Sequence, residues 1–184
     1  MYPPGHVGLT ALLFAPLVCW FRLRGRREAA TECLLIAIAL SLLPDIDKLL
    51  PGLVHRGVTH TLLAAVIGGV LVACLFEIIA ERSPGLGVEH PAVCYLVGVA
   101  GVVCHLVGDV ITPMGIQPLF PGSRTVYSLE LVQASSPVAN LLFVVAGTVA
   151  VACSYGMPAG TQRSAASEAG PEESPPPALH SNRR

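Results

Sequence analysis

The sequence predicts an all-α integral membrane protein: a bundle of about five transmembrane helices followed by a polar C-terminal tail. The first observation is that 53% of its 184 residues are hydrophobic and only 12% are charged, about half the charge of an ordinary soluble domain. The second is that aromatics make up only 5%, so the apolar content is mostly Leu, Val, Ala and Ile, as on lipid-facing helices. The third is that these residues gather into five runs separated by short polar stretches. A net charge of −1 argues against nucleic acid as a partner. Membrane lipids are the expected surroundings.

The runs cover about Val7 to Phe21, Ala29 to Leu43, Thr59 to Ile79, Pro91 to Ile111 and Val138 to Tyr155. A bilayer core takes about 20 helical residues, so the third and fourth are long enough and the fifth is close. The first two are short, and either thin the bilayer or let their polar ends line a protein cavity. Arg22, Arg24, Arg26 and Arg27 follow the first run. Positive charge after the apolar stretch, with none before it, is the reverse of a signal peptide and predicts an uncleaved anchor. The same arginines place that loop in the cytoplasm of a multi-pass cell-membrane protein. Threading onward puts the N-terminus outside and the tail inside. Residues 1–156 are then the membrane-embedded domain and 157–184, rich in Pro, Ser, Ala, Gly and Glu, a disordered tail. The six cysteines all lie in or beside apolar runs without a CxxC pair, and read as small hydrophobes packed between helices.

The informative residues are the polar ones that interrupt the runs. His6 opens the first, Asp45 and Asp47 close the second, His55 and His60 precede or begin the third, and His105 with Asp109 lie near the end of the fourth. Alternate threading brings all of them to the outer side, and only His90 among the histidines before the tail falls on the inner side. Charged groups at membrane depth are costly and usually line a functional cavity. His105 and Asp109 are four apart, so a helix puts them on one face where they can share a cation. Asp45 and Asp47 are two apart, which lets one ligate while the other orients a histidine.

Imidazole with carboxylate suits zinc, with manganese or iron as alternatives, and the lack of nearby cysteine disfavours a purely structural zinc site. Six or seven candidate ligands exceed the needs of one ion, and two ions about 3.5–4 Å apart would use them. Plainer readings stand beside these. Asp45 and Asp47 can be a solvated helix end beside Lys48, Thr59 can cap the third helix, and Arg56 can reach lipid headgroups. Arg124, in a Pro-punctuated loop that could cover the site, reads as an ordinary headgroup contact.

The early His, "PDID", "HRGVTH", "HLVGDVITPMG" and "PLFPGSR", in that order, resemble the YdjM-like family of membrane-bound metal-dependent hydrolases. The likeness covers about residues 5 to 131, with Thr61 where the family often has Ser. It implies a His/Asp metal site and carries over His6, Asp45, Asp47, His55, His60, His105 and Asp109 as ligands or proton-transfer groups. On this reading His6, Asp45, Asp47, His60, His105 and Asp109 hold one or two divalent ions, most simply zinc. His55 is the general acid, since histidine titrates nearest neutrality. Asp47 orients, and Arg56 holds an anionic group. The expected function is a metal-dependent hydrolase acting at the outer face on a phospholipid or lipid-linked phosphoester. The alternative is a divalent-metal or small-solute transporter that uses the same cluster as a binding site.

Overall fold

The structure is a computed structural model, and it describes residues 1–82 and 90–157. Five helices make the fold: α1 Pro3–Leu23, α2 Arg27–Leu42, α3 Leu62–Ala80, α4 Pro91–Val110 and α5 Pro137–Gly156. Prolines open α1, α4 and α5, where a missing backbone N–H leaves no helical bond unmade. Thr61, His90 and Ser136 cap α3, α4 and α5 by accepting backbone N–H groups from Ala64, Ala92 and Ala139. All five helices are long and apolar enough to cross a membrane, α2 by running on through a 3₁₀ turn as Arg27–Leu49.

That continuation corrects the shortness expected of the first two runs. Pro3 and Pro4 start α1 ahead of its apolar stretch and place His6 in its first turn. The 3₁₀ segment Leu43–Leu49 carries α2's direction through Asp45 and Asp47. Thr61, not Thr59, caps α3, because Thr59 spends its hydroxyl on Asp47. The tail from residue 158, including His180, lies outside the described residues.

Helix α1 packs between α5 and α2, and α4 packs on α2, α1 and α3, leaving α3 and α5 outermost. The closest approach is between α1 and α5. A Cβ added to Gly8 would run into the backbone of Phe143 and Val144, and one added to Gly147 into that of Gly8. Small residues that let backbones touch are the usual means of holding helices together in lipid. Helix α5 buries only Asn140, Gly147 and Ser154, a stripe at seven-residue spacing facing α1. The central core is Phe14, Val18 and Phe21 of α1 with Ala30, Cys33 and Ala37 of α2 and Val97 of α4. Cys33, Cys94 and Cys104 are buried there, whereas Cys74 and Cys153 are exposed and Cys19 is half-buried. The expectation of packed cysteines therefore holds for only half of them. The alternating helix directions bring the starts of α1 and α3 to the same end as the finishes of α2 and α4, and these are the four places that hold His6, Asp45, Asp47, His55, His60, His105 and Asp109.

Candidate metal centre

The centre is built on the last turns of α4. His105 Nδ1 lies 2.7 Å from the Ser41 carbonyl, an acceptor only, so the ring donates from Nδ1 and leaves a lone pair on Nε2. His60 sits in the short 3₁₀ turn Val58–His60. Its Nδ1 is 2.9 Å from Thr59 Oγ1, and that hydroxyl gives its own proton to Asp47 Oδ2 at 2.8 Å. The hydroxyl is left to accept from His60 Nδ1–H, which again frees Nε2. The two Nε2 atoms are 3.1 Å apart. Asp109 Oδ2 stands 3.4 Å from one and 3.5 Å from the other. Asp45 Oδ1 is 3.7 and 3.9 Å from the same pair.

Two imidazole lone pairs cannot face each other at this distance without a proton or cation between them. Burial works against charge on His60, but the Asp109 and Asp45 carboxylates beside it outweigh burial and raise its pKa above the ordinary 6.5. A metal ion bound between the two Nε2 atoms would compete with a proton for the same lone pairs. Asp109 Oδ2 and Asp45 Oδ2 are both buried with no hydrogen-bond partner, unusual for carboxylate oxygens. Bonds of about 2.0–2.2 Å set neighbouring ligands about 3–3.5 Å apart around a divalent cation. The separations around the Nε2 pair lie at or a little above that range. The His60–His105 pair could therefore hold such an ion together with Asp45 or with Asp109.

The other oxygen of Asp109 is already satisfied. Oδ1 accepts from Arg56 Nη2 and from the Met1 amine, each at 2.7 Å, and lies 3.5 Å from His6 Nε2. His6 stacks on His105 with centroids 3.9 Å apart and planes 12° from parallel. Neither ring nitrogen of His6, both buried, has a hydrogen-bond partner. Arg56 is held at φ +62°, a left-handed conformation that costs a non-glycine residue about 1–2 kcal/mol. There its N–H donates to Asp47 Oδ2 at 3.2 Å while its side chain reaches Asp109, Thr112 Oγ1 and the Gly115 carbonyl. His55 Nδ1 bonds Asp47 Oδ1 at 3.0 Å, and one third of its side chain is exposed, which puts this ring at the rim.

The three groups His6–His105–Asp109, Asp45–His60–His105 and Asp47–His55–His60 each gather their ligand atoms within 4.8 Å. Over residues 1–168 the chain matches the family model described as YdjM inner membrane protein. The chain belongs to the YdjM family. No curated protein and no solved structure matches it.

In this YdjM-family chain, every histidine and aspartate singled out from the sequence reaches the one cluster. His90 caps α4 at the opposite end. Arg56 departs from its expected role. Its guanidinium is turned inward, 8% exposed, and committed to Asp109, Thr112 and Gly115, so it neutralises Asp109 and is not free for a substrate anion. The exposed cations at this end are Lys48, 2.8 Å from Asp45, and Arg124 on the loop after α4. Sequence reasoning missed the groups that aim the rings: the Ser41 carbonyl, the Thr59 hydroxyl and Gly108. A Cβ on Gly108 would stand 2.7 Å from His6 Nδ1, so the bare glycine is what lets His6 lie against α4. Nothing in a sequence marks a carbonyl as an acceptor, but a glycine inside "HLVGD" was a visible sign. The loop is pinned over this end by Leu62 N–H to the Pro118 carbonyl and by Leu129 and Leu131 N–H to the carbonyls of Val110 and Ile111.

Proposed function

We propose that this protein is an integral-membrane, metal-dependent phosphoester hydrolase, with zinc its simplest ion and a membrane lipid or lipid-linked phosphoester its substrate. The observation that carries this reading is the convergence of the His60 and His105 Nε2 atoms with the unpartnered Oδ2 of Asp109, all buried. By the positive-inside rule, the cluster faces away from the cytoplasm, at the end opposite the arginines that follow α1. Asp45, His60, His105 and Asp109 are the ligands. A divalent ion held there would polarise the phosphoester and lower the pKa of a bound water toward neutrality.

The remaining residues have separate tasks. Asp47 accepts from His55, Thr59 and the Arg56 backbone, and so fixes the rim histidine and His60 together. His55, oriented through Nδ1, gives a proton to the leaving alcohol. Water's oxygen bonds to phosphorus, the P–O bond to the alcohol breaks, and the proton lost by water returns to His55, so that the ring ends as it began. Arg56 holds Asp109 ionised and in place. Bundle-depth burial keeps competing water away from the ligands.

The cluster sits at one end, and below it α4 offers only apolar and small side chains from Tyr95 to Cys104, which favours chemistry over passage of an ion through the bundle. Elemental analysis of detergent-purified protein should find a divalent metal, and release of phosphate or phosphoalcohol should be seen on a panel of phospholipids and lipid-linked phosphates. His105→Ala and Asp109→Asn should each empty the site and reduce turnover by at least about 100-fold. Unchanged metal content in both variants would overturn the assignment.

A further inference from the structure

Outside the cluster, the feature that points furthest is an apolar groove of about 310 Å³ beside α3. Helices α2 and α3 both lean on α4 but scarcely touch each other, so a cleft opens between them toward the membrane. Its floor is Gly68, where an added Cβ would find only ordinary contacts with Val102 and Leu40. Ala64, Ile67 and Leu71 form the α3 wall, Leu43 the opposite edge, and Phe120 and Pro121 a roof. The upper end is Thr59, the residue whose hydroxyl bonds Asp47 and His60.

From this geometry we infer that the groove is the seat of one hydrocarbon chain of a phosphate-bearing membrane lipid, entering sideways from the leaflet at the site's end. Three observations converge on that occupant. The cleft lies between two membrane-spanning helices, so hydrocarbon is what meets it. From Thr61 to Leu71 the α3 wall rises about 15 Å, which is half of a bilayer core of about 30 Å and thus the depth of one leaflet. The only polar part of the lining is Thr59 and Thr61 at the top, so a chain lying in the groove brings its ester end to Asp47, His55 and His60. The inference rests on the hydrolase reading for the purpose of the chain, and it names the substrate as a lipid presented from within the bilayer.

The test is photolabelling that needs no turnover. Full-length protein in phospholipid nanodiscs is exposed to phosphatidic acid carrying a diazirine midway along one chain, with and without metal removal by chelation. Adducts should concentrate on residues 62–71 over the lipid-facing Leu141, Leu142 and Val145 of α5. Ala64→Phe, which fills the groove, should lower labelling of that segment by about tenfold, equivalent to losing the contacts of roughly two methylenes. Ile67→Phe, at an exposed rim position, repeats the test should the first variant fail to insert, and metal content should be unchanged in either. Even labelling of α3 and α5, or labelling that both variants leave intact, overturns the groove while metal analysis still stands for the centre. Enriched labelling in a protein that holds no metal as purified, before any chelation, supports the groove and sinks the hydrolase reading alone.

Discussion

Helices α4 and α5 have the same length and the same mean hydropathy, yet 56% of the most apolar stretch of α4 is buried against 17% of α5. Both begin with proline after a side-chain cap. The difference lies in what interrupts the apolar residues. Helix α4 carries glycines on the sides that meet α2 and α3, with Gly101 against Ala37 and Gly98 against Gly69, so it is enclosed by neighbours. Its His105 and Asp109 then lie buried in that enclosure. Helix α5 has one stripe, Asn140, Gly147 and Ser154, and one main partner, α1. Average hydropathy measures whether a helix can sit in lipid, and the placement of small and polar residues decides whether it sits there as a wall or as a centre.

If that contrast is right, glycines on the two helices should fail differently. Gly108→Ala on α4 should show the larger effect. The new methyl stands 2.7 Å from His6 Nδ1 and 2.9 Å from Met1 Cε, so His6 must leave its stack on His105. Metal affinity should fall by about 10–100-fold, as for loss of groups that orient ligands, with little change in the melting temperature of the metal-free protein. A metal titration beside a thermal melt separates the two readouts. Gly147→Ala on α5 should do the reverse. Its methyl meets the Gly8 carbonyl and Ala11 Cβ and must push the helices apart, costing about 1–3 kcal/mol, while the protein that remains folded binds metal as before. Equal loss of metal in both variants would erase the distinction between wall and centre.

The convergence of the cluster was legible because ionisable residues are rare in these runs and each carries a position. His105 and Asp109 are readable from spacing alone, and Asp45, Asp47, His55 and His60 from their places at helix ends that antiparallel threading brings together. The helix limits were less legible. Apolar content marks where a span is greasy, not where its backbone begins, so Pro3–Pro4 and the 3₁₀ turn after α2 were hidden from it. Arg56 is less legible for a related reason. An arginine in a loop looks free, and only the fold reveals that its positive φ turns it back on Asp109.

The smallest effect worth measuring within the centre concerns Thr59. Thr59→Val keeps the shape but removes a hydroxyl that donates to Asp47 and accepts from His60. His60 loses the acceptor that holds its proton on Nδ1, so part of the neutral ring shifts its proton to Nε2, the atom that must be bare to ligate. Metal affinity should fall by about tenfold, less than for Gly108→Ala, because Asp47 Oδ2 remains 3.3 Å from His60 Nδ1 and can take over the proton. Leu142→Ala on the lipid face of α5 should change neither affinity nor stability by more than about 0.5 kcal/mol. If Thr59→Val behaves like Leu142→Ala, the tautomer of His60 is set by Asp47 alone, and the hydroxyl belongs to the wall and not to the centre.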